Sequence, residues 1–134
     1  SLFLYTAVES SSRLVATRIL IVEDSSLVTD AFRVLFTEAG YEVDVAASVA
    51  EGVARGIAAP VDVLLLDLSL PDGSGLDILA ALRNQGCSPR ATLVMTGHND
   101  AESRRMCLEA GCADVLLKPV PIREIIRQIE LHLA

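Results

Sequence analysis

Four short apolar runs in this chain each lead into side chains that can do chemistry. Ile19–Val22 runs into Glu23 and Asp24, Val63–Leu66 into Asp67, Thr92–Met95 into Thr96, and Val115–Leu117 into Lys118. Carboxylates brought together repel one another, and at neutral pH they need protons or a cation. Hard oxygen ligands of this kind suit Mg²⁺, which takes one or two protein carboxylates and leaves positions for water and phosphate oxygens. A hydroxyl (Thr96) and a fixed ammonium (Lys118) would hold the oxygens of a transferring phosphoryl group, a reaction that depends on positioning and charge neutralisation. Asp67 follows the most buried-looking run and is the candidate nucleophile, because a carboxylate can itself accept phosphate as an aspartyl-phosphate.

Taken singly, each residue has an ordinary explanation. Asp24 and Ser25 can cap a helix, and Asp67 can open a turn with Asp72 and Gly73. Glu23 alone is a surface charge, Thr96 a β-branched strand residue, and Lys118 an exposed lysine. The coincidence of all of them at consecutive strand ends carries the reading. Lys118 adds weight, since it is the one lysine among eleven basic residues, the others being arginine. Its compact ammonium differs from a guanidinium fork. Pro119 follows directly, and Lys-Pro at a strand exit invites a cis bond that aims the lysine back over the rim.

These residues need elements to carry them. Strand-like runs fall at Ile19–Val22, Tyr41–Ala46, Val63–Leu66, Thr92–Met95 and Val115–Leu117. Between them lie helical patterns. Leu27, Val28, Ala31, Phe32, Leu35 and Phe36 form one stripe, ended by Gly40. Ser48–Gly56 is a second helix, Ser74–Gln85 a third before Gly86, and Asp100–Ala110 a fourth closed by Gly111. Ile122, Ile125, Ile126, Ile129 and Leu133 give the fifth its apolar face. Alternating strands and helices with short connections predict an α/β fold, a doubly wound five-stranded parallel sheet. The second strand alternates polar and apolar residues while the others are nearly all apolar. That places it at an edge and gives the order 2-1-3-4-5. In such a sheet the acid-bearing ends of strands one and three flank the switch point where ligands bind.

Composition narrows the function. The 134 residues suit one domain, with 51% hydrophobic content enough for a core. A net charge of −7 argues against a nucleic-acid groove, and no apolar stretch reaches the length of a bilayer span. Cys87, Cys107 and Cys112 are odd in number and lack metal-ligand spacing, which reads as reduced thiols in a cytoplasmic protein. Ser1–Thr17 reads as a leader or linker outside the fold, or a short added helix.

Four blocks, "ILIVED" (Ile19–Asp24), "LLLDLSLPDGSGL" (Leu64–Leu76), "LVMTGH" (Leu93–His98) and "AGCADVLLKPV" (Ala110–Val120), are similar in order and spacing to the receiver domain of two-component response regulators. The likeness covers residues 18–134. The resemblance implies a flavodoxin-like (βα)5 fold in which Asp67 accepts a phosphoryl group from a histidine kinase or phosphotransfer domain. It implies that Asp24, Asp67 and the backbone carbonyl of Ser69 bind Mg²⁺ directly, that Glu23 acts through a bound water, and that Thr96 and Lys118 contact the phosphoryl oxygens. It further implies that helix four, strand five and helix five form a face for an effector domain or a second receiver. Arg104, Arg105, Arg123 and Arg127 lie there among acids.

One position departs from the pattern. Many receivers carry an aromatic residue three positions before the lysine, where this chain has Val115. The loop after Thr96 and helix four are therefore expected to carry any output change. His98 and Ser69, each two residues beyond a site residue, are expected to tune phosphate lifetime or to be plain loop side chains. The expected module is a signalling switch that catalyses only its own phosphorylation and slow hydrolysis. The alternative is a phosphate-independent pseudo-receiver, although the intact site residues speak against it. A phosphatase would want a second acid where Ser69 stands, and a flavin site would want more aromatics than 4% with no Trp.

Overall fold

The computed structural model describes residues 16–97 and 100–134. Five strands, β1 (Arg18–Val22), β2 (Glu42–Ala46), β3 (Val63–Asp67), β4 (Ala91–Thr96) and β5 (Asp114–Leu117), alternate with α1 (Ser26–Glu38), α2 (Val49–Ala58), α3 (Gly75–Asn84), α4 (Ala101–Glu109) and α5 (Ile122–Leu133). The strands form one parallel sheet in the order β2-β1-β3-β4-β5, as the sequence predicts. A small antiparallel ribbon, Ser69–Leu70 against Gly73–Ser74, sits in the β3–α3 connection.

The apolar runs are apolar because both faces of the central strands are covered. Alternate residues feed two separate cores. Leu20, Val22, Leu64, Leu66, Val94 and Val115 pack with Ile78, Leu79 and Leu82 of α3 and Cys107 of α4. Ile19, Ile21, Val63, Leu65, Leu93, Met95 and Leu116 pack with Phe36 of α1 and Ile125 and Ile129 of α5. The edge strand β2 alternates because one side meets solvent. There Arg18 bonds Glu42 at 3.0 Å and Asp44 at 3.3 Å, and Arg55 reaches Asp44 at 2.9 Å. Charges of this kind also blunt an exposed strand edge.

Helix ends follow the sequence within a residue or two. Ser25, Ser48, Ser74 and Asp100 cap α1 to α4 with their side chains. Gly40, Gly86 and Gly111 follow helix ends with φ of +97°, +71° and +98°, a conformation glycine adopts without penalty.

The α1 stripe is only partly buried. At about 100° per residue its six apolar positions span half the helix circumference, and the sheet covers only one side of that arc. Phe36 is buried and Val28 and Phe32 are half-buried, but Leu27, Ala31 and Leu35 face outward, Leu27 at 82% exposure. Thr29 takes a buried place instead, its hydroxyl donating to the Ser26 carbonyl at 3.2 Å.

Cys107 and Cys112 are buried and Cys87 half-buried, all as free thiols. Burial, with Cys107 close by, pushes the Cys112 thiol up to about 12. Among the described residues no helix is long and apolar enough to cross a membrane. The expectations for His98 and for residues 1–15 of the leader lie outside the described residues. Thr17 already joins the sheet, its carbonyl accepting from the Glu42 N–H at 2.9 Å.

Candidate functional site

The strand ends meet at one rim. Val22 of β1 pairs with Leu66 of β3, so Glu23 and Asp67 emerge side by side, and Thr96 of β4 pairs with Leu117 of β5, directly before Lys118. Glu23, Asp24 and Asp67 each offer a carboxylate oxygen within 4.8 Å of the others. The Lys118 ammonium lies between two of them, 2.9 Å from Asp67 Oδ2 and 3.2 Å from Glu23 Oε1. The Lys118–Pro119 peptide is cis, as expected. The Lys118 N–H donates to the Thr96 carbonyl at 2.8 Å, and the Thr96 residue is buried. Ser69 donates its N–H to Asp67 Oδ1 at 3.2 Å. Ser25 takes the helix cap, and Asp24 is the exposed member of the cluster, its N–H on Glu23 Oε2 at 2.9 Å.

The two acids at the centre are shifted in opposite directions. Glu23 is only 4% exposed; burial raises its pKa, the hydrogen bond and charge of Asp67 raise it further, and Lys118 opposes them in part. Burial also raises Asp67, but hydrogen bonds from Glu23, Lys118 and the Ser69 amide outweigh it and hold this carboxyl below its usual range. Lys118 is lowered by burial and raised more strongly by both carboxylates, so it stays an ammonium. A raised carboxyl pKa in the fold means that the folded state binds more protons than the unfolded one above about pH 4.5, the ordinary Glu range. Glu23 therefore costs stability as pH rises through its elevated pKa. In metal-free buffer, Glu23→Gln is expected to raise the melting temperature at neutral pH and to have little effect near pH 4. Melting curves of both proteins across pH 4–8 check this; an equal offset at every pH would contradict it.

Two positions that shape the rim escaped the sequence reading. Gly75 begins α3 where a Cβ would lie 2.2 Å from the Asp67 carbonyl oxygen, so only glycine lets the helix start against the end of β3. Gly75→Ala is expected to destabilise the fold by about 1–3 kcal/mol despite alanine's better helix propensity, and urea unfolding measures this. Asp72, read as a plain turn residue, reaches out of its loop to accept from the Val49 and Ala50 amides at 2.7 and 3.0 Å. Gly-x-Gly after an acid-tipped strand was the available signal for Gly75. Nothing local reveals the partner of Asp72, which lies more than twenty residues away.

A further feature borders the acids. An apolar groove of about 590 Å³ is lined by Leu27, Val28, Ala31 and Phe32 of α1, by Met95, Pro119 and Val120, and by Glu23 and Lys118. Three of the four arginines expected to dress an interface are engaged within the chain. Arg104 bonds Asp114 and the Val115 carbonyl, Arg105 bonds Glu102 and Glu109, and Arg127 bonds Glu124.

The family model described as the response regulator receiver domain matches residues 19–130. The chain belongs to the response regulator receiver family. The transcriptional regulatory protein KdpE of Mycobacterium tuberculosis is 34% identical to this receiver over 114 residues, 84% of this chain and 49% of the relative. The TorCAD operon transcriptional regulatory protein TorR of Escherichia coli O157:H7 is 37% identical over 112 residues, 84% of this chain and 48% of the relative. The receiver thus spans about half the length of the curated relatives it matches. Among solved structures, a CheY-like response regulator receiver domain protein from Methanospirillum hungatei JF-1 superposes with a TM-score of 0.80 at 30% identity, covering 88% of this chain and 94% of that one. Receivers bind Mg²⁺ at an acidic pocket. The Glu23, Asp24 and Asp67 oxygens are a hard donor set of matching chemistry, clustered closely enough for one small divalent ion.

Proposed function

We propose that this receiver is phosphorylated on Asp67 by a histidine kinase or a phosphotransfer domain, in a Mg²⁺-dependent two-component or phosphorelay step. The observation that carries the reading is the Lys118 ammonium at 2.9 Å from Asp67 within a cluster of three acids. An Asp67 carboxylate oxygen attacks the phosphorus, the new O–P bond forms as the P–N bond of a phosphohistidine breaks, and the departing imidazole takes its proton from solvent. The low pKa of Asp67 keeps it ionised and ready for this attack. Lys118 offsets charge on the phosphoryl oxygens, and the Thr96 hydroxyl donates to another of them. Asp24, Asp67 and the Ser69 carbonyl would hold Mg²⁺ directly, with Glu23 acting through water. When bound, the ion neutralises the acids and the incoming phosphoryl charge. Residues 18–134 form the receiver in this reading, and its own chemistry is confined to accepting phosphate and losing it again by hydrolysis.

Output would leave through the α4-β5-α5 face toward an effector domain or a second receiver. Arg104 ties α4 to the backbone of Val115, the position where other receivers place an aromatic, so a shift near Thr96 would be felt in α4 through that bond. The apolar groove beside Glu23 and Lys118 supports entry of the phosphodonor protein along α1.

The test is incubation with acetyl phosphate, with Mg²⁺ or with a chelator, followed by intact-mass measurement. One base-labile phosphoryl group per chain is expected with Mg²⁺ and none with the chelator. No incorporation under either condition would favour the pseudo-receiver and overturn the proposal.

A further inference from the structure

The ribbon that carries Ser69 is held at both ends. At its base, the Gly75 N–H donates to the Leu68 carbonyl at 3.0 Å, and the Ser69 N–H donates to Asp67 at 3.2 Å. At its tip, the Asp72 carboxylate spans to a different helix, Oδ1 accepting from the Val49 N–H at 2.7 Å and Oδ2 from the Ala50 N–H at 3.0 Å. These are the first two amides of α2, which its own turn leaves without partners. The next amide, that of Glu51, is taken by Ser48 at 3.1 Å. One exposed carboxylate therefore joins the loop after the phosphoacceptor strand to a neighbouring helix. The two amide bonds hold its carboxyl below the usual range, so it is ionised throughout the neutral range.

We infer that Asp72 is a positioning residue for the metal site: by fastening the ribbon tip to α2, it fixes the Ser69 carbonyl at the point where Mg²⁺ would meet it. This rests on the Mg²⁺ site proposed above. A two-stranded ribbon this short is marginal on its own. Cut loose at Pro71–Asp72, it would swing about its base and take the Ser69 carbonyl with it. The acids Glu23, Asp24 and Asp67 would stay, because the sheet and the β1–α1 connection fix them. The cost would then appear as lost preorganisation of one ligand, with the nucleophile intact.

The test is calorimetric titration of the metal-free protein with MgCl2 for wild type, Asp72→Ala, Asp72→Asn and Ser48→Ala. Ser48→Ala removes α2's own side-chain cap and leaves the tether, so it separates helix stability from loop position. Asp72→Ala is expected to weaken Mg²⁺ binding about tenfold, Asp72→Asn less because it keeps one acceptor, and Ser48→Ala not at all. With acetyl phosphate, Asp72→Ala should need about tenfold more Mg²⁺ for half-maximal phosphorylation while reaching the wild-type rate at saturation. Wild-type affinity in Asp72→Ala, or an equal loss in Ser48→Ala, would overturn the inference while leaving the site reading in place. A wild type that takes up no Mg²⁺ would remove both.

Discussion

Asp67→Asn is expected to lose phosphate incorporation completely while remaining folded. The amide is nearly the same size, so the β3 register with Met95 and the packing of Leu66 are undisturbed. Its oxygen carries no charge and is a poor nucleophile, so attack on phosphorus stops. The loss extends to the cation. Removing one of three clustered carboxylates lowers the charge available to a divalent ion, and Mg²⁺ affinity should fall by roughly tenfold or more. Stability of the metal-free protein should also drop somewhat, because Asp67 is the carboxylate that Lys118 stabilises. Mass measurement after acetyl phosphate treatment checks the first effect and calorimetry the second. A variant that still takes up one phosphoryl group would shift the nucleophile to another side chain.

Lys118→Ala is expected to separate metal binding from phosphoryl transfer. In the metal-free site the ammonium sits between Glu23 and Asp67, where a divalent ion would compete with it for the same negative charge. Removing it should therefore tighten Mg²⁺ binding. The same change strips the phosphoryl group of a fixed positive partner, and loss of one such group costs roughly 10²–10³ in rate. Without metal, Glu23 and Asp67 would face each other unscreened. Lys118 is 33% exposed at its side chain, and solvent softens the loss to roughly 1–2 kcal/mol. Added Mg²⁺ should restore more stability to Lys118→Ala than to wild type. Weaker Mg²⁺ binding in the variant would mean that the lysine organises the acids, in place of competing for them.

The sheet, its strand order and the gathering of the site were legible because each rests on a periodic or terminal signal. Short continuous apolar runs marked the central strands, and the polar alternation within Tyr41–Ala46 marked the edge. A charged or hydroxyl residue directly after a buried strand has one place to go, the rim. What escaped depends on neighbours distant in the chain. The outward turn of Leu27, Ala31 and Leu35 reflects how much of α1 the sheet can cover, which helical spacing does not contain. The bonds from Asp72 join a loop to the start of α2, which only the folded sheet brings together, and the need for glycine at position 75 comes from a backbone oxygen eight residues earlier. The arginines of α4 and α5 looked available for a partner, yet Arg104, Arg105 and Arg127 find acids on their own or the adjoining element.

Acyl phosphates are reduced by borohydride to an alcohol, which marks the carboxylate that carried the phosphate. Protein phosphorylated with acetyl phosphate and Mg²⁺, reduced and then mapped by peptide mass spectrometry, should carry homoserine in place of Asp67 and an unaltered Glu23, Asp24 and Asp72. Reduction at any of those three with Asp67 intact, or a phosphorylated protein with no reducible carboxyl at all, would contradict the assignment of Asp67 as phosphoacceptor.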